Sequence, residues 1–318
     1  MKFSHTKNLA LPVGYRLLDY EIEQVLSSGG FSFVYLARNK EKELVAIKEF
    51  LPIGLALRLD GENVVVNSPE ESNIFKFGLQ CFFEEGLTLA KIEHKNIVRV
   101  TNFFRANGTV YMVMVYEQGK PFQQHIVESN GQLNEIFLRK VLLELLNGLR
   151  EVHSQKLLHL DIKPANIYIR DEDNSPVLLD FGSARQTLTD TQAKLPPSYT
   201  PGFAAPEQYY DRKLLGPWSD IYSIGACLYS CLTRSSPVAA NLRIKKDTLI
   251  PAEEIGRDIY STSFLRIIDQ AMALDYTWRL QSVYELQKAI LDAPLGGIKI
   301  ERKIEKPSLV DKLKNFMR

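Results

Sequence analysis

Apolar residues change their spacing near Gly119, and that change limits the fold more than any other feature of the chain. Before it, short runs rich in Val, Ile, Tyr and Phe predict strands over 21–26, 33–38, 44–50 and 110–115. One long segment interrupts them. Phe75, Leu79, Phe82, Phe83, Leu87 and Ala90 recur near helical spacing and predict a helix over 72–91. Beyond the change, Ile136, Val141, Leu145, Leu149 and Val152 predict a helix over 133–153, followed by helices over 218–232 and 263–274. Gly119 and Pro121 break the pattern between Tyr116 and Pro121 and mark a junction. Strands first and helices after predict an α+β fold in two lobes. Asp60-Gly61, lying between Leu57–Leu59 and Val64–Val66, predicts a hairpin turn.

Composition narrows the class. With 318 residues the chain holds two modest domains, or one large domain in two lobes. A hydrophobic share of 45 % and a charged share of 24 % exclude a disordered, collagen-like or membrane-embedded chain. Lys and Arg number 39 against 38 Asp and Glu, so no global field favours nucleic acid as a partner. Cys81, Cys227 and Cys231 form neither a disulfide framework nor a zinc ribbon, and Cys227 and Cys231 read as small core residues of one helix. The five histidines show no metal-ligand spacing. Residues 1–11 lack the apolar core of a signal peptide, and the apolar run 221–232 is far short of the ~20 residues that span a bilayer. A cytoplasmic location is therefore expected, with export to a host cell left open. From residue 296 onward seven basic and three acidic residues leave +4, and Leu309, Val310, Leu313, Phe316 and Met317 share one face of a short helix. Such a basic amphipathic tail suits docking on its own domain, on a partner or on an anionic membrane surface.

Three motifs carry chemistry. Ser27-Ser28-Gly29-Gly30-Phe31-Ser32-Phe33-Val34 lies between two predicted strands, where the N–H groups of a tight hairpin cradle phosphate oxygens if side chains keep clear. Ser27, Gly29 and Ser32 stand at the three places of G-x-G-x-x-G, so one glycine remains. Val45-Ala46-Ile47-Lys48 puts a lysine on one face of a strand, and a carboxylate on a facing helix would orient it. Glu85 is the candidate because Phe82, Leu89 and Ile92 flank it. Glu84, a ~100° turn away, is the alternative. The strongest signal is His159-Leu160-Asp161-Ile162-Lys163-Pro164-Ala165-Asn166, followed 14 residues after Asn166 by Asp180-Phe181-Gly182. Phosphoryl transfer needs a carboxylate beside the attacking hydroxyl, oxygen ligands for Mg2+ and cations on the γ-phosphate. Asp161, the pair Asn166 and Asp180, and Lys163 are of those types.

Taken in this order, with Ala205-Pro206-Glu207 further on, these motifs make the chain resemble the eukaryotic-like Ser/Thr protein kinases, above all their bacterial members, over roughly residues 15–291. The resemblance implies a protein kinase fold: a small, mostly antiparallel β N-lobe with one long helix, and a larger, mostly α-helical C-lobe. The implied division is an N-terminal extension 1–14, an N-lobe 15–117 with an inserted hairpin at about 51–70, a C-lobe 118–294 and the tail 295–318. It implies ATP with Mg2+, Mn2+ serving as a substitute, and protein substrates with Ser or Thr acceptors, autophosphorylation included. Lys48 would contact the α/β-phosphates with Glu85 as its partner. Asp161 would be the catalytic base, and Asn166 and Asp180 would hold the metal. Ser27, Gly29 and Ser32 would border the phosphates, and Val34 and Ala46 would cover the adenine. Val115 and Glu117, after Met114, would meet the adenine with backbone groups. Lys163 and Thr200 would mark a Ser/Thr preference, and Arg279 would pair with Glu207.

Three departures from the family pattern stand out. Leu160 occupies the place of an arginine that commonly gathers an activation-loop phosphate, so phosphorylation between Ser183 and Tyr199 (at Thr187, Thr189, Thr191 or Ser198) is not expected to be required. The missing loop glycines, with Leu160, raise the alternative of a nucleotide-binding pseudokinase with little or no transfer. A small-molecule kinase of the aminoglycoside or choline type is a further alternative, disfavoured by the intact segment 199–207. Finally, 37 residues separate Lys48 from Glu85, which leaves room for an insertion that braces the helix or docks a partner.

Overall fold

The computed structural model describes residues 9–58, 62–130, 133–181, 185–186 and 199–295. Asp60-Gly61, Gly182, the candidate phosphorylation sites Thr187, Thr189, Thr191 and Ser198, and the basic tail from residue 296 lie outside the described residues. After the short β1 (Arg16–Leu17), the runs rich in Val, Ile, Tyr and Phe become strands β2 (Tyr20–Ser28), β3 (Ser32–Arg38) and β4 (Leu44–Phe50). A small hairpin of β5 (Ala56–Leu57) and β6 (Val65–Val66) follows, paired Ala56 to Val66, so its strands sit one residue away from the sequence reading. Helix α1 (Pro69–Leu89) comes next, then β7 (Val100–Ala106) and β8 (Thr109–Val115). One antiparallel sheet forms in the order β1-β2-β3-β4-β8-β7.

Register decides what faces the cleft. Val34 pairs with Lys48, which pairs with Met112, and Ala46 pairs with Met114. Side chains alternate across a sheet, so these five share one face while Tyr35, Ile47, Glu49, Tyr111 and Val113 share the other. Helix α1 starts at a Ser68 cap followed by Pro69, with Glu70 and Glu71 in its positive first turn. It packs on the cleft face of the sheet: the Phe50 ring lies 5.7 Å from Phe75 and 5.6 Å from Phe82. Gly86 faces Phe103 so closely that a Cβ there would lie 1.7 Å from the ring.

The second lobe opens with β9 (Gly119–Pro121), α2 (Phe122–Glu128), α3 (Glu135–Ser154) and β10 (Leu157–Leu158). Strands β11 (Ile167–Arg170) and β12 (Pro176–Leu178) pair with each other, and β11 also pairs with β9. That pairing requires Gly119, where a Cβ would stand 2.1 Å from the Ile169 carbonyl oxygen. β13 (Arg185–Gln186) pairs with β10. Helices α4 (Pro206–Tyr210), α5 (Pro217–Thr233), α6 (Ala240–Arg243), α7 (Ala252–Ile255), α8 (Thr262–Ala271) and α9 (Val283–Asp292) complete the described chain. Nearly every residue of α5 is buried, Cys227 and Cys231 included. Among the described residues no helix is long and apolar enough to cross a membrane.

Strand β7 and helices α2 and α9 were not predicted from the sequence. β7 hides because its period breaks at a register shift between Val100 and Asn102, and most of its side chains are exposed or half-buried. Gly86→Ala should destabilise the protein by about 1–3 kcal/mol, because Phe103 must move and α1 must shift away from the sheet. Urea unfolding with the denaturant slope unchanged measures this, and a variant as stable as the parent would show that the helix does not press on β7.

Candidate functional site

Between the two lobes lies a cavity of about 360 Å³. Val34, Ala46, Met112, Met114 and Val115 line it from the sheet, Glu85 and Leu89 from α1, and Asn166, Tyr168, Leu179 and Asp180 from the second lobe. Ser27 and Glu117 also reach it, whereas Gly29 and Ser32 do not. The lining is largely apolar with few charged groups, as suits a flat heterocycle carrying a charged tail.

Lys48 is 6 % exposed. A buried ammonium needs carboxylates, and two approach it: Asp180 Oδ1 at 2.5 Å and Glu85 Oε1 at 4.0 Å. Burial works against the Lys48 charge, but Asp180 and Glu85 more than restore it and hold its pKa above the usual lysine value. Glu84 instead accepts a hydrogen bond from Gln80 on the exposed side of α1. The structure therefore brings Glu85, and not Glu84, to Lys48.

A second cluster centres on Asp161. Thr200 Oγ1 donates to its Oδ1 at 2.7 Å, and Lys163 Nζ donates to its Oδ2 at 2.7 Å. Lys163 also donates to Thr200 Oγ1 at 2.8 Å. Asn166 donates its amide to the Asp161 backbone carbonyl at 2.9 Å and to Oδ2 at 3.3 Å. One carboxylate thus collects a hydroxyl, an ammonium and an amide, which fixes its direction.

The backbone beneath it is strained. Leu160 has φ +62° and Asp180 φ +54°, in a region that costs a non-glycine residue about 1–3 kcal/mol. Buried polar groups hold Leu160 there. Asp220 accepts from the His159 and Leu160 N–H groups at 2.9 and 2.8 Å and from His153 Nε2 at 2.7 Å, while Gln208 donates to the Leu160 carbonyl at 2.8 Å. Burial tends to raise the Asp220 carboxyl, but His153 and His159 with the Leu160 amide hold it below the usual carboxylate range. His159 is wholly buried, packs 4.5 Å from Phe181 and lies 3.1 Å from the Leu179 carbonyl. Its pKa is lowered by that burial. Nearby, Arg279 grips Glu207 with two hydrogen bonds of 2.8 and 3.1 Å, and Ser219 donates to the same carboxylate at 2.7 Å.

Comparison with known proteins gives these two clusters a context. Residues 20–285, most of the chain, match the family described as the protein kinase domain. This chain belongs to the protein kinase family. Serine/threonine-protein kinase B of Synechocystis sp. is 28 % identical over 282 residues, covering 85 % of this chain and 46 % of that protein. Serine/threonine-protein kinase PknA of Nostoc sp. is 28 % identical over 288 residues, covering 86 % of this chain and 48 % of that protein. The chain therefore spans about half the length of the curated relatives it matches. Among solved structures, one described as "PpkA-294 apo form" superposes with a TM-score of 0.78 at 33 % identity, covering 88 % of this chain and 99 % of that one. The Mycobacterium tuberculosis PknI kinase domain superposes with a TM-score of 0.67 at 19 % identity and shares the fold. The antiparallel small lobe and helical large lobe are those of a protein kinase.

Several walls of the candidate site are not legible in the sequence. Leu26, Met112, Tyr168 and Leu179 line the cavity, and nothing in their local sequence distinguishes them from core residues. Glu117 is committed through its side chain to Arg170, at 2.7 and 2.9 Å, a pairing of residues 53 apart in the chain. The low pKa values of His94, His125 and His159, each caused chiefly by burial, give a stability prediction. Imidazoles kept neutral in the folded state bind protons more readily once unfolded, so stability should be full above pH ~6.5 and fall as pH drops below it. Melting temperature followed from pH 7.5 to 5.5 should decline, and a flat or rising profile would contradict the neutral buried state.

Proposed function

We propose that this chain is a protein kinase that transfers the γ-phosphate of ATP, as its Mg2+ complex, to Ser or Thr hydroxyls of protein substrates. The observation that carries the reading is the placement of Lys48, Glu85 and Asp180 at one end of the cavity, with the Asp161–Lys163–Thr200–Asn166 cluster in the same cleft. Adenine fits between Val34 and Ala46 above and Leu179 below, with the backbone of Val115 and Glu117 at its edge. Lys48 would meet the α/β-phosphates, and the hairpin of Ser27, Gly29 and Ser32 would close over them.

The donor set suits a hard cation. Asp180 supplies a carboxylate, and Asn166, whose amide nitrogen is spent on Asp161, keeps its carbonyl oxygen for ligation. Two side chains together with substrate oxygens are the usual way a protein holds Mg2+ at a phosphate site. When bound, the cation neutralises charge on the β- and γ-phosphates. Asp161 then orients the acceptor hydroxyl and takes its proton. The hydroxyl oxygen bonds to the γ-phosphorus as the bond to the β–γ bridging oxygen breaks, and ADP departs with that electron pair. Lys163 offsets charge on the moving phosphoryl group. Thr200 joins Asp161 to Lys163 and suits a Ser/Thr acceptor at that spot. The small lobe 15–117 and large lobe 118–294 frame the cleft, and autophosphorylation follows from the same chemistry.

Leu160 is buried and carries no charge, so nothing at that position answers an activation-loop phosphate. The kinase is accordingly read as active without one. Phosphatase-treated protein should transfer labelled phosphate to a generic basic protein at an undiminished rate, and Asp161→Ala should lower that rate at least ~10³-fold while binding nucleotide with little change. Equal rates for Asp161→Ala and the parent would refute the assignment. Nucleotide binding without transfer by the parent would identify a scaffold instead.

A further inference from the structure

The segment between β4 and α1 touches more of the small lobe than a surface insertion needs to. At its start it continues the β3–β4 ladder beyond the Ser32–Phe50 pair: Leu51 N–H donates to the Phe31 carbonyl at 2.9 Å, and Ile53 N–H donates to the Gly30 carbonyl at 2.7 Å. Those two carbonyls belong to the tip of the β2–β3 hairpin, whose Ser27 and Val34 line the cavity. Further along stands Arg58, 1 % exposed. Its guanidinium grips both carboxylate oxygens of Glu49, with Nη1 2.8 Å from Oε2. Tyr35 and Tyr111 donate to the same carboxylate at 2.7 and 2.5 Å. At its far end Val64 N–H donates to the Asn107 carbonyl at 2.8 Å, Asn67 N–H to the Leu55 carbonyl at 3.0 Å, and Ser68 caps α1.

Glu49 follows Lys48 in the chain, so the two side chains point to opposite faces of one strand. Lys48 looks into the cleft. Glu49 looks outward, where an antiparallel sheet commonly meets water, and here that face is covered and Ile47, Tyr111 and Val113 are wholly buried. A buried carboxylate holding a guanidinium and two phenols is costly to disturb, because losing one partner strands the rest. The segment is thereby pinned to the strand of Lys48 at Arg58 and bonded to the hairpin tip at Ile53. A tip reading Ser-Ser-Gly-Gly is loose by itself, since its glycines carry high conformational entropy.

We propose that residues 51–58 form a latch that holds the phosphate-facing hairpin at a fixed height over the cavity, with the Ile53 N–H and Arg58 as positioning groups. This rests on the kinase reading for the ligand it serves. The latch supplies order to the glycine pair Gly29-Gly30 at the tip, by fixing the Gly30 and Phe31 carbonyls.

Ile53→Pro deletes the donated hydrogen while its side chain is 67 % exposed, and Ile53→Ala keeps the hydrogen. The proline variant should raise the KM for ATP about five-fold, the scale of one lost hydrogen bond, with kcat within about two-fold of the parent and the alanine variant matching the parent. Equal KM values for the two variants would overturn the latch. The pair Glu49→Gln with Arg58→Met removes both charges together and leaves none stranded. If folded, as judged by melting, it should raise KM in the same direction, and an unchanged KM would again overturn the proposal. Should the parent transfer no phosphate, equilibrium binding of ADP to the same proteins makes the same comparison, so a failed kinase reading and a failed latch are told apart. Should neither variant fold, amide exchange in the parent decides: a protected Ile53 amide is required, and free exchange contradicts the latch.

Discussion

A lysine buried in the cleft needs negative charge on hand, and the arrangement of the whole molecule answers to that demand. Lys48 receives Asp180 from the second lobe and Glu85 from α1. Neither is near it in sequence, at separations of 132 and 37 residues. For Glu85 to arrive, α1 must lie flush on the sheet, which Gly86 permits against Phe103 and the Phe50 cluster enforces. For Asp180 to arrive, the chain after β12 must adopt a left-handed backbone at Asp180 itself. A charge that is expensive to bury thus acts as a test of assembly: it is satisfied only when sheet, helix and second lobe are in place together.

The second lobe spends its own buried charge on backbone geometry. Asp220 and Gln208 hold Leu160 in a conformation leucine rarely adopts, and this aims the following residue, Asp161, at Lys163 and Thr200. Arg279 and Glu207 do similar work one layer deeper, tying the segment before α5 to the turn before α9. Asp220 and Gln208 thus fix the backbone on which the direction of Asp161 depends.

Legibility in the sequence followed physical range. Strands such as β3 and β4 were readable because short runs rich in Val, Ile, Tyr and Phe mark them. β7 was not, because a register shift breaks its period and it presents few apolar residues inward. α9 carries a local signal in its Ser282 cap and in Val283, Leu286 and Ile290 at helical spacing. Within the site, the residues around Asp161 were legible because their chemistry demands fixed types at short spacing. The contacts of Arg58 were not. Read locally it is an ordinary surface arginine, and only the fold brings Glu49, Tyr35 and Tyr111 around it. The same holds for Glu117, whose partner Arg170 lies across the junction between lobes.

On the proposed function, Asp180, held by Lys48 in this structure, would serve a cation in a nucleotide site. Nucleotide affinity measured with and without Mg2+, for the parent and for Asp180→Asn, tests this most directly. Mg2+ should tighten ATP binding to the parent at least ~10-fold and change binding to Asp180→Asn by less than ~2-fold, since the loss of a ligating carboxylate removes the ion's anchor. Equal Mg2+ dependence in the two proteins would contradict it.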